Sequence, residues 1–476
     1  MNRILTITGL TWKAAFRYRL FWVLAVLLAT SVVAFPLLLK DDGTARGLTQ
    51  ILLTYTLSAI TGLLGFSTLW LSCGTLARDI EECQMQVVSV KPIGRWQIWL
   101  GKWIGVVSLN AALVGLSGAG VYALLQFRAD TLPPAQQTIL KKEIFVARAS
   151  AKPTPPNMEL LVAAALQKRI KQLSGAGTPP NEALLRKQIT QMVLAENLSV
   201  KPGLFKRFVV ELGANFVKSL NRESLNRDNA TRARGQTLQV RVKFRSSDPL
   251  AAEGAVYQTL WQVGVPESGN IKRLEKLLPA ESFQEFELPP DMFDSEGRLT
   301  LDFYNANDVA LWFGQDDGLE VFYPESTFGM NFIRGLGIIL CWLALLASIG
   351  LAASSWLSFP VAAFASITVL VMGLCSGILS SAIEQGTIFG LDHETNQPVQ
   401  PAFDSVILPI FKSALAVINL VKDFSPIDSL STGRSITWGE LGLAFAQIVL
   451  LMGGIFAAAG IALFSRRELA AAQVNS

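Results

Sequence analysis

The sequence contains few charged residues. Asp, Glu, Lys and Arg make up 16% of its 476 residues, whereas soluble domains usually carry about 25%. The deficit is uneven, because 49 of the 78 charged residues lie between Arg128 and Glu325. Hydrophobic residues make up 51% of the chain, and the mean hydropathy is +0.38. This distribution excludes a soluble enzyme and indicates a charged domain inserted into a membrane protein.

Histidine and cysteine are also scarce, which limits the chemistry open to the chain. His393 is the only histidine, so a metal site with two histidine ligands is excluded. A Ser-His-Asp triad would have to use His393, but no G-x-S-x-G motif accompanies it. A single loop histidine is more often a surface residue. None of the four cysteines lies between Arg128 and Glu325, and no C-x-x-C pair occurs. Disulfides in the charged domain and redox sites are therefore not expected.

A nucleotide-binding loop is missing as well. The segment from Gly94 to Gly101-Lys102 has six residues between its glycines instead of the four of a Walker A motif, and no Ser or Thr follows the lysine. We therefore predict that this chain does not hydrolyse ATP by that route. No catalytic, cofactor-binding or metal-binding residue is assigned.

Long runs without charge predict the membrane-spanning helices, because a bilayer core about 30 Å thick requires ~20 apolar helical residues. The run from Gly335 to Ile383 is too long for one span, and the stretch Ser354-Ser355-Trp356 to Pro360 is the natural turn that divides it. The other predicted spans are Leu20–Leu39, Gly47–Ala77, Trp103–Phe127 and Leu441–Ser465. The expected fold is an α-helical polytopic membrane protein with six transmembrane helices, three in residues 1–127 and three in residues 331–476.

Lys and Arg residues in the short flanking segments predict the orientation of these spans. Ten of them lie before the first span, between the second and third, and after the sixth, against five in the opposite short loops. We therefore expect a protein of the bacterial inner membrane, with both termini in the cytoplasm and residues 128–330 on the extracytoplasmic side. A cleaved signal peptide is the alternative for the N-terminus. Its 20-residue apolar run is too long for an ordinary signal peptide.

The charged domain, residues 128–330, is predicted to be α+β. Residues 128–236 are expected to be mainly helical, with proline clusters between the helices. In residues 237–330 apolar and polar residues alternate, as in Leu238–Phe244 and Tyr257–Val263, which is typical of half-buried strands. Several short strands separated by turns predict an antiparallel β-sandwich of the jelly-roll type.

Charge within this domain divides near the same boundary. Residues 128–245 have a net charge of +13 and residues 246–325 a net charge of −12. Either the two parts attract partners of opposite sign, or they face each other or are simply solvated. We favour the second interpretation, and nucleic acid is not an expected partner.

The segment from Arg78 to Lys102, RDIEECQMQVVSVKPIGRWQIWLGK, is the most informative part of the sequence. It opens with the carboxylates of Asp79, Glu81 and Glu82 at a predicted helix start, where they suit the helix dipole. An apolar stretch, a break at Pro92-Ile93-Gly94 and a basic, aromatic return to the membrane follow. The segment could bind a cytoplasmic partner through its charged residues and by placing a helix in a groove of that partner. A solvated connector with basic membrane anchors is the simpler alternative.

This segment resembles the loop between the second and third spans in the permease subunits of type 2 ATP-binding-cassette exporters. The matching residues are Arg78, Glu81, Glu82, Lys91, Pro92, Arg95, Gly101 and Lys102. Cys83-Gln84 stands where that family usually has Gly-Thr. The resemblance implies a coupling helix that docks on a separate cytoplasmic ATPase subunit, and that subunit would bind the ATP and Mg²⁺. The coupling residues that it implies are Arg78, Asp79, Glu81, Glu82, Lys91, Pro92 and Arg95.

Three further features agree with this resemblance. Apolar residues such as Trp12 and Phe16 interleave with Arg3, Lys13 and Arg17, which predicts an interfacial amphipathic helix like the family's N-terminal elbow helix. Within residues 384–440, an apolar stretch interrupted by proline and lysine is expected to form an external or re-entrant helix. Close helix packing is predicted at Gly101, Gly105, Gly115, Gly453 and Ala457.

Three functions remain open at this point. The leading hypothesis is a permease subunit of an exporter, in which two six-span subunits, identical or different, work with two ATPases in the lipid membrane. The second is a non-transporting protein in which the ATPase moves the external domain against envelope polymers or proteins. The third is a membrane-bound sugar-binding or adhesion protein, whose external domain binds a glycan or a protein partner.

Overall fold

A computed structural model describes residues 2–17, 20–38, 45–82, 93–131, 133–140, 145–174, 182–212, 238–248, 255–264, 271–288, 292, 294, 297–315, 318–377, 380, 383, 401–422 and 424–467. The chain divides into two compact units, Met1–Phe145 with Thr327–Ser476, and Val146–Ser326. We call them the helical unit and the sheet unit. The charge-rich stretch of the sequence begins at Arg128, whereas the sheet unit begins at Val146. The residues between them belong to the helical unit, where Ala129, Leu140 and Phe145 pack together.

Twelve helices lie within the described residues. In chain order they are α1 (Asn2–Arg17), α2 (Leu20–Leu38), α3 (Ala45–Glu81), α4 (Arg95–Asp130), α5 (Pro134–Ile139), α6 (Met158–Ser174), α7 (Glu182–Leu198), α8 (Phe328–Ser354), α9 (Phe359–Leu374), α10 (Pro401–Lys422), α11 (Pro426–Ser431) and α12 (Trp438–Arg466). Helix α12 is π-helical over Phe445–Gly453. Helices α6 and α7 belong to the sheet unit, and the others belong to the helical unit.

Within the described residues, four helices are long and apolar enough to cross a membrane: α3, α4, α8 and α12. Helices α1 and α2 pass the same test together, but they bend by 69° where they meet. Helix α9 has 16 residues, which is shorter than the ~20 that a full span requires. The chain is thus a membrane protein whose described part has four such helices, or five if the bent pair forms one span. Six spans remain a prediction.

The turn expected in the long uncharged run lies where the sequence predicts it. Helix α8 ends at Ser354, and α9 begins at Phe359 with Pro360 in its first turn. Proline suits that position because the first amides of a helix have no partner within the helix. Helix α8 is the most buried of the four long helices. Its apolar face packs into the core that α3, α4 and α12 share, with Leu57, Leu113 and Ile448 among the buried residues.

The described residues of the sheet unit form three sheets. The strands are β1 (Val146–Ala151), β2 (Ser199–Val200), β3 (Phe205–Glu211), β4 (Leu238–Val242), β5 (Phe244–Ser246), β6 (Val256–Gly264), β7 (Ile271–Pro279), β8 (Gln284–Leu288), β9 (Arg298–Asn305), β10 (Leu311–Phe313) and β11 (Leu319–Thr327). The strand orders are β1-β11-β4-β8, β2-β10-β5 and β3-β9-β6-β7. Residues of all three sheets share one hydrophobic core around Trp261, Phe303 and Phe313.

The alternating segments of the sequence do form strands, namely β4, β6, β8, β9 and β11. The part expected to be mainly helical, residues 128–236, also supplies β1, β2 and β3, which the sequence pattern did not predict. Its described helices are α5, α6 and α7, together with the end of α4. The jelly-roll arrangement stays a prediction.

The basic and acidic parts of the sheet unit form ion pairs with each other. Arg207 on β3 forms two hydrogen bonds to Asp302 on β9, of 2.7 and 2.9 Å, and this contact raises the pKa of the arginine. Arg241 on β4 donates to Glu285 on β8 at 2.7 Å and lies 3.9 Å from Glu320. These pairs agree with the interpretation that the two oppositely charged parts face each other.

Candidate functional site

The residues to which the sequence assigns coupling lie around the break between α3 and α4. Arg78, Asp79 and Glu81 occupy the last turn of α3, and Glu82 follows it. Arg95 is the first residue of α4. Lys91 and Pro92 lie outside the described residues, as do the centre of the loop and His393. We call the end of the helical unit where these residues cluster the loop end.

Asp79 and Glu81 lie in the last turn of α3 and not at the start of a helix, so the expectation of a dipole-stabilised N-terminus is wrong for these two carboxylates. A helix C-terminus carries partial negative charge and disfavours carboxylates. Asp79 and Glu81 instead have partners on neighbouring helices, and these partners offset the unfavourable position.

Asp79 binds a buried lysine of the adjacent helix. Lys102 Nζ on α4 donates to Asp79 Oδ2 at 2.5 Å and to the carbonyl oxygen of Thr75 at 2.6 Å. The lysine side chain is 8% exposed and that of Asp79 is 32% exposed. A buried ammonium requires such partners because its desolvation is costly. The ion pair joins the two helices that flank the loop.

Glu81 and Arg78 contact the beginning of α9. Glu81 Oε1 accepts a hydrogen bond of 3.0 Å from the backbone N–H of Phe359. The first N–H groups of a helix have no partner within the helix, and the side chain of Ser358, the N-cap of α9, supplies none. Glu81 therefore caps α9 from another helix. Arg78 places its guanidinium carbon 4.6 Å from the centre of the Phe359 ring, a cation–π distance.

Arg95 contacts the end of α12. Its Nη1 donates to the carbonyl oxygens of Phe464, Ser465 and Arg467 at 2.7, 2.8 and 2.9 Å. These carbonyls lie at the C-terminus of α12, where they have no donor within the helix and where a positive charge is favoured. Arg467 in turn reaches the carbonyl oxygens that end α8, with two longer contacts of 3.4 Å to Ser354 and Ser355.

Five helices thus have a terminus at the loop end: α3, α4, α8, α9 and α12. Beneath the polar contacts lies a small apolar cluster drawn from α1, α3, α4, α8 and α12. Its buried members are Ile7, Leu76, Ile98, Trp99, Leu351 and Phe464. This arrangement fixes helix ends relative to one another. Among the described residues, no group of three or more His, Cys, Asp or Glu side chains comes together as a metal site would require.

Two of the predicted small residues lie where α1 packs on α4. A Cβ atom added at Gly101 would come 2.8 Å from Ile7 Cβ, and one added at Gly105 would come 2.7 Å from Thr11 Cβ. Side chains this close require glycine. Two hydrogen bonds also join the helices: Trp12 Nε1 donates to Ser108 Oγ at 2.8 Å, and Thr8 Oγ1 donates to the Gly101 carbonyl at 3.1 Å. The predicted amphipathic helix is therefore seated on α4 along one face.

The other predicted packing residues differ. A Cβ at Gly115 would meet nothing within 4 Å, so no described neighbour requires glycine there. At Gly453 it would lie at an ordinary 3.4 Å from Ile448 O and Ser348 Oγ. Ala457 packs against the apolar cluster at the loop end. A tighter contact that the sequence reasoning missed is at Gly460, where an added Cβ would lie 2.9 Å from Ala352 Cα.

Sequence reasoning also missed two polar residues at the opposite end of α8. Asn331 accepts the N–H of Ile436 at 2.7 Å and donates to the carbonyl of Arg434 at 2.7 Å. Arg334 donates to the carbonyl of Ile436 at 2.8 Å. Together they hold the segment that precedes α12. No local pattern signals these contacts, because their partners lie more than 100 residues away in sequence.

Comparisons of the chain with protein-family models, with curated proteins and with solved structures find no match. The functional conclusion therefore depends on the residues of the loop end and of the sheet unit.

Proposed function

We propose that the chain is the membrane-spanning permease subunit of an ATP-binding-cassette transporter, an exporter that couples through residues 78–102 to a separate ATPase subunit. The observation that carries this proposal is the network at the loop end. The two helices that flank the loop bond to each other through Asp79 and Lys102, to α9 through Glu81 and to α12 through Arg95.

Such a network suits a subunit that receives mechanical work on one loop. A displacement of the loop would move α3 and α4 together, because the ion pair between Asp79 and Lys102 joins the two helices beside the loop. It would also move α9 and α12, because Glu81 caps the first turn of α9 and Arg95 caps the last turn of α12. Coupling between sites needs a contiguous set of contacts that responds as a unit, and this set begins directly beside the loop.

The ATPase in this proposal binds the ATP and Mg²⁺, and the chain supplies the docking surface. Arg78, Asp79, Glu81 and Arg95 make contacts within the chain. Glu82 is exposed at one end of the loop, next to the exposed Glu81, and Trp96 is 48% exposed at the other end. We assign docking to Glu82 and Trp96 together with the loop, because both side chains are exposed and lie directly beside it. We assign the transmission of movement to Arg78, Asp79, Glu81 and Arg95. Two permease subunits, with both termini in the cytoplasm of a bacterial inner membrane and the sheet unit outside, complete the proposed assembly.

Retention of an ATPase by the tagged full-length chain tests this proposal. Purification from its native membranes in mild detergent should retain a second protein with Mg²⁺-dependent ATP hydrolysis. Glu82→Lys combined with Trp96→Ala should lower the retained activity about tenfold or more, because an interface usually depends on a few residues. Glu159→Lys, a charge reversal at an exposed position on α6, is the matched control and should retain the activity. An ATPase that stays bound to the double variant would remove the docking assignment, and the absence of any ATPase would overturn the proposal.

A second candidate function, mechanical work without transport, is favoured by one observation. Strand β11 ends at Thr327 and α8 begins at Phe328, so no residue separates the last strand from the most buried of the long helices. Movement of α8 would therefore be passed along the chain. In liposomes, stimulation of the ATPase by a transported compound would favour export. Stimulation only by an added protein or polymer on the sheet-unit side would favour mechanical work.

A further inference from the structure

One face of the β3-β9-β6-β7 sheet points away from the hydrophobic core. Strand registers place its side chains in rows that cross all four strands. The first row is Phe205, Tyr304, Leu260 and Glu275. The next row, two residues along each strand, is Arg207, Asp302, Gln262 and Arg273. We call these two rows the outer face of this sheet.

The first row begins with two exposed aromatic residues on β3 and β9 and ends at the charged Glu275 on β7. Phe205 is 70% exposed and Tyr304 43% exposed, and the two are direct cross-strand neighbours. Large apolar side chains side by side on a surface mark binding sites more often than single ones do. An aromatic pair at one edge of a sheet provides two rings at the spacing of neighbouring strands, about 4.8 Å.

The second row provides fixed polar groups beside these rings. The guanidinium of Arg207 is held by two hydrogen bonds to Asp302, so both side chains have a set orientation. The Gln262 amide and the Arg273 guanidinium follow in the same row. Planar side chains of this kind donate and accept hydrogen bonds in pairs. With Glu275, the charges of the two rows sum to zero.

The size and charge of this face limit the classes of ligand that it can bind. Four strands, with two rows that lie two residues apart along them, give roughly 14 Å by 10 Å, or about 140 Å². A stable protein interface buries about 800 Å² on each partner, so the face is too small for a second folded copy. Its zero net charge disfavours a polyanion or a charged lipid surface. A narrow, uncharged, linear ligand with apolar faces and many hydroxyl groups fits both limits.

We propose that the outer face of the β3-β9-β6-β7 sheet binds a linear, uncharged glycan, with pyranose rings on Phe205 and Tyr304 and hydroxyl groups on the Arg207-Asp302-Gln262 row. The C–H face of a pyranose packs on an aromatic ring, and its neighbouring hydroxyls form paired hydrogen bonds with carboxylate, amide and guanidinium groups. This site is independent of the proposed ATPase partner, and it would serve an exporter or a mechanical protein equally.

The test uses the purified full-length chain in detergent, with cellohexaose and chitohexaose as uncharged probes and heparin as a polyanion. Titration calorimetry should detect binding of at least one of the two hexasaccharides. Phe205→Ala combined with Tyr304→Ala should weaken it about tenfold or more, since stacked aromatic contacts carry much of the energy of such sites. Leu160→Ala combined with Met192→Ala is the matched control, because these side chains are 67% and 68% exposed on α6 and α7. This control should keep the wild-type affinity.

Gln262→Ala is a second variant that leaves the aromatic row intact and should weaken binding several-fold. Equal thermal unfolding midpoints for all variants would show that the sheet unit stays folded. Binding of neither hexasaccharide would overturn the proposal, as would binding of heparin alone or unchanged affinity in the double aromatic variant. Dissociation of a dimer in that variant would assign the face to a second copy of the chain instead.

Discussion

The buried ion pair between Asp79 and Lys102 allows a quantitative test of the loop end. Lys102 is the more buried partner, and its ammonium has two acceptors, Asp79 Oδ2 at 2.5 Å and the Thr75 carbonyl at 2.6 Å. Removal of one partner from a buried pair leaves the other charge uncompensated. Such changes cost about 3–5 kcal/mol in full burial. We expect about 2–3 kcal/mol for Asp79→Ala, because the Thr75 carbonyl remains and the aspartate is 32% exposed.

The reverse change should cost less. In Lys102→Met the remaining carboxylate of Asp79 is partly exposed and can be hydrated, so we expect a loss of about 1 kcal/mol. Asp79→Asn keeps an oxygen acceptor and should fall between the two. The double variant Asp79→Asn with Lys102→Met removes both charges, so its cost should be smaller than the sum of the single costs.

The assay is the fraction of the full-length chain that remains monodisperse in detergent after heating, measured for the wild type and the four variants. The expected order of stability is wild type, Lys102→Met, Asp79→Asn and Asp79→Ala, from highest to lowest. Equal losses in Lys102→Met and Asp79→Ala would refute the reasoning, because they would show that the two charges are equally solvated. Strictly additive costs in the double variant would refute the pairing itself.

Two further predictions concern the helix contacts at the same end. Arg95→Leu removes the donor to three carbonyls at the end of α12 and should destabilise the helical unit by about 1–2 kcal/mol; hydrogen exchange of the last turn of α12 should become faster, and unchanged exchange would contradict the capping role. Gly105→Val would place side-chain atoms within the contact now made by Thr11 and should cost about 1–3 kcal/mol, measured by the same heating assay. The matched control Gly115→Val meets nothing within 4 Å and should be close to neutral, so an equal loss at both positions would contradict the packing argument.

The parts of the fold that follow local rules could be predicted from the sequence. Uncharged runs indicated the long helices, Pro360 marked the turn between α8 and α9, and alternation marked β4, β6 and β9. Strand β7 was missed because IKRLEKLLP carries charged residues towards both faces. This strand lies at the edge of its sheet and most of its side chains are exposed, so no burial pattern is imposed on it.

The partners of the loop-end residues could not be predicted in the same way. Arg95 bonds to carbonyls 369 to 372 positions away, and Glu81 bonds to an amide 278 positions away. Basic residues beside a span are expected from the orientation rule alone. That rule does not distinguish a side chain that anchors a helix in the membrane surface from one that caps another helix.

The same capping requirement explains why the loop end can act as a unit. Each helix terminus leaves amides or carbonyls without partners, and most helices satisfy them with their own flanking residues or with water. At the loop end, Glu81 and Arg95 satisfy the termini of α9 and α12 from other helices, and Arg467 does so for α8. A local requirement of each helix therefore becomes a connection between helices. Separating α3 or α4 from its neighbours would break these hydrogen bonds, at about 0.5–1.5 kcal/mol for each. In the proposed function, a force on the loop would therefore act on several connected helix ends.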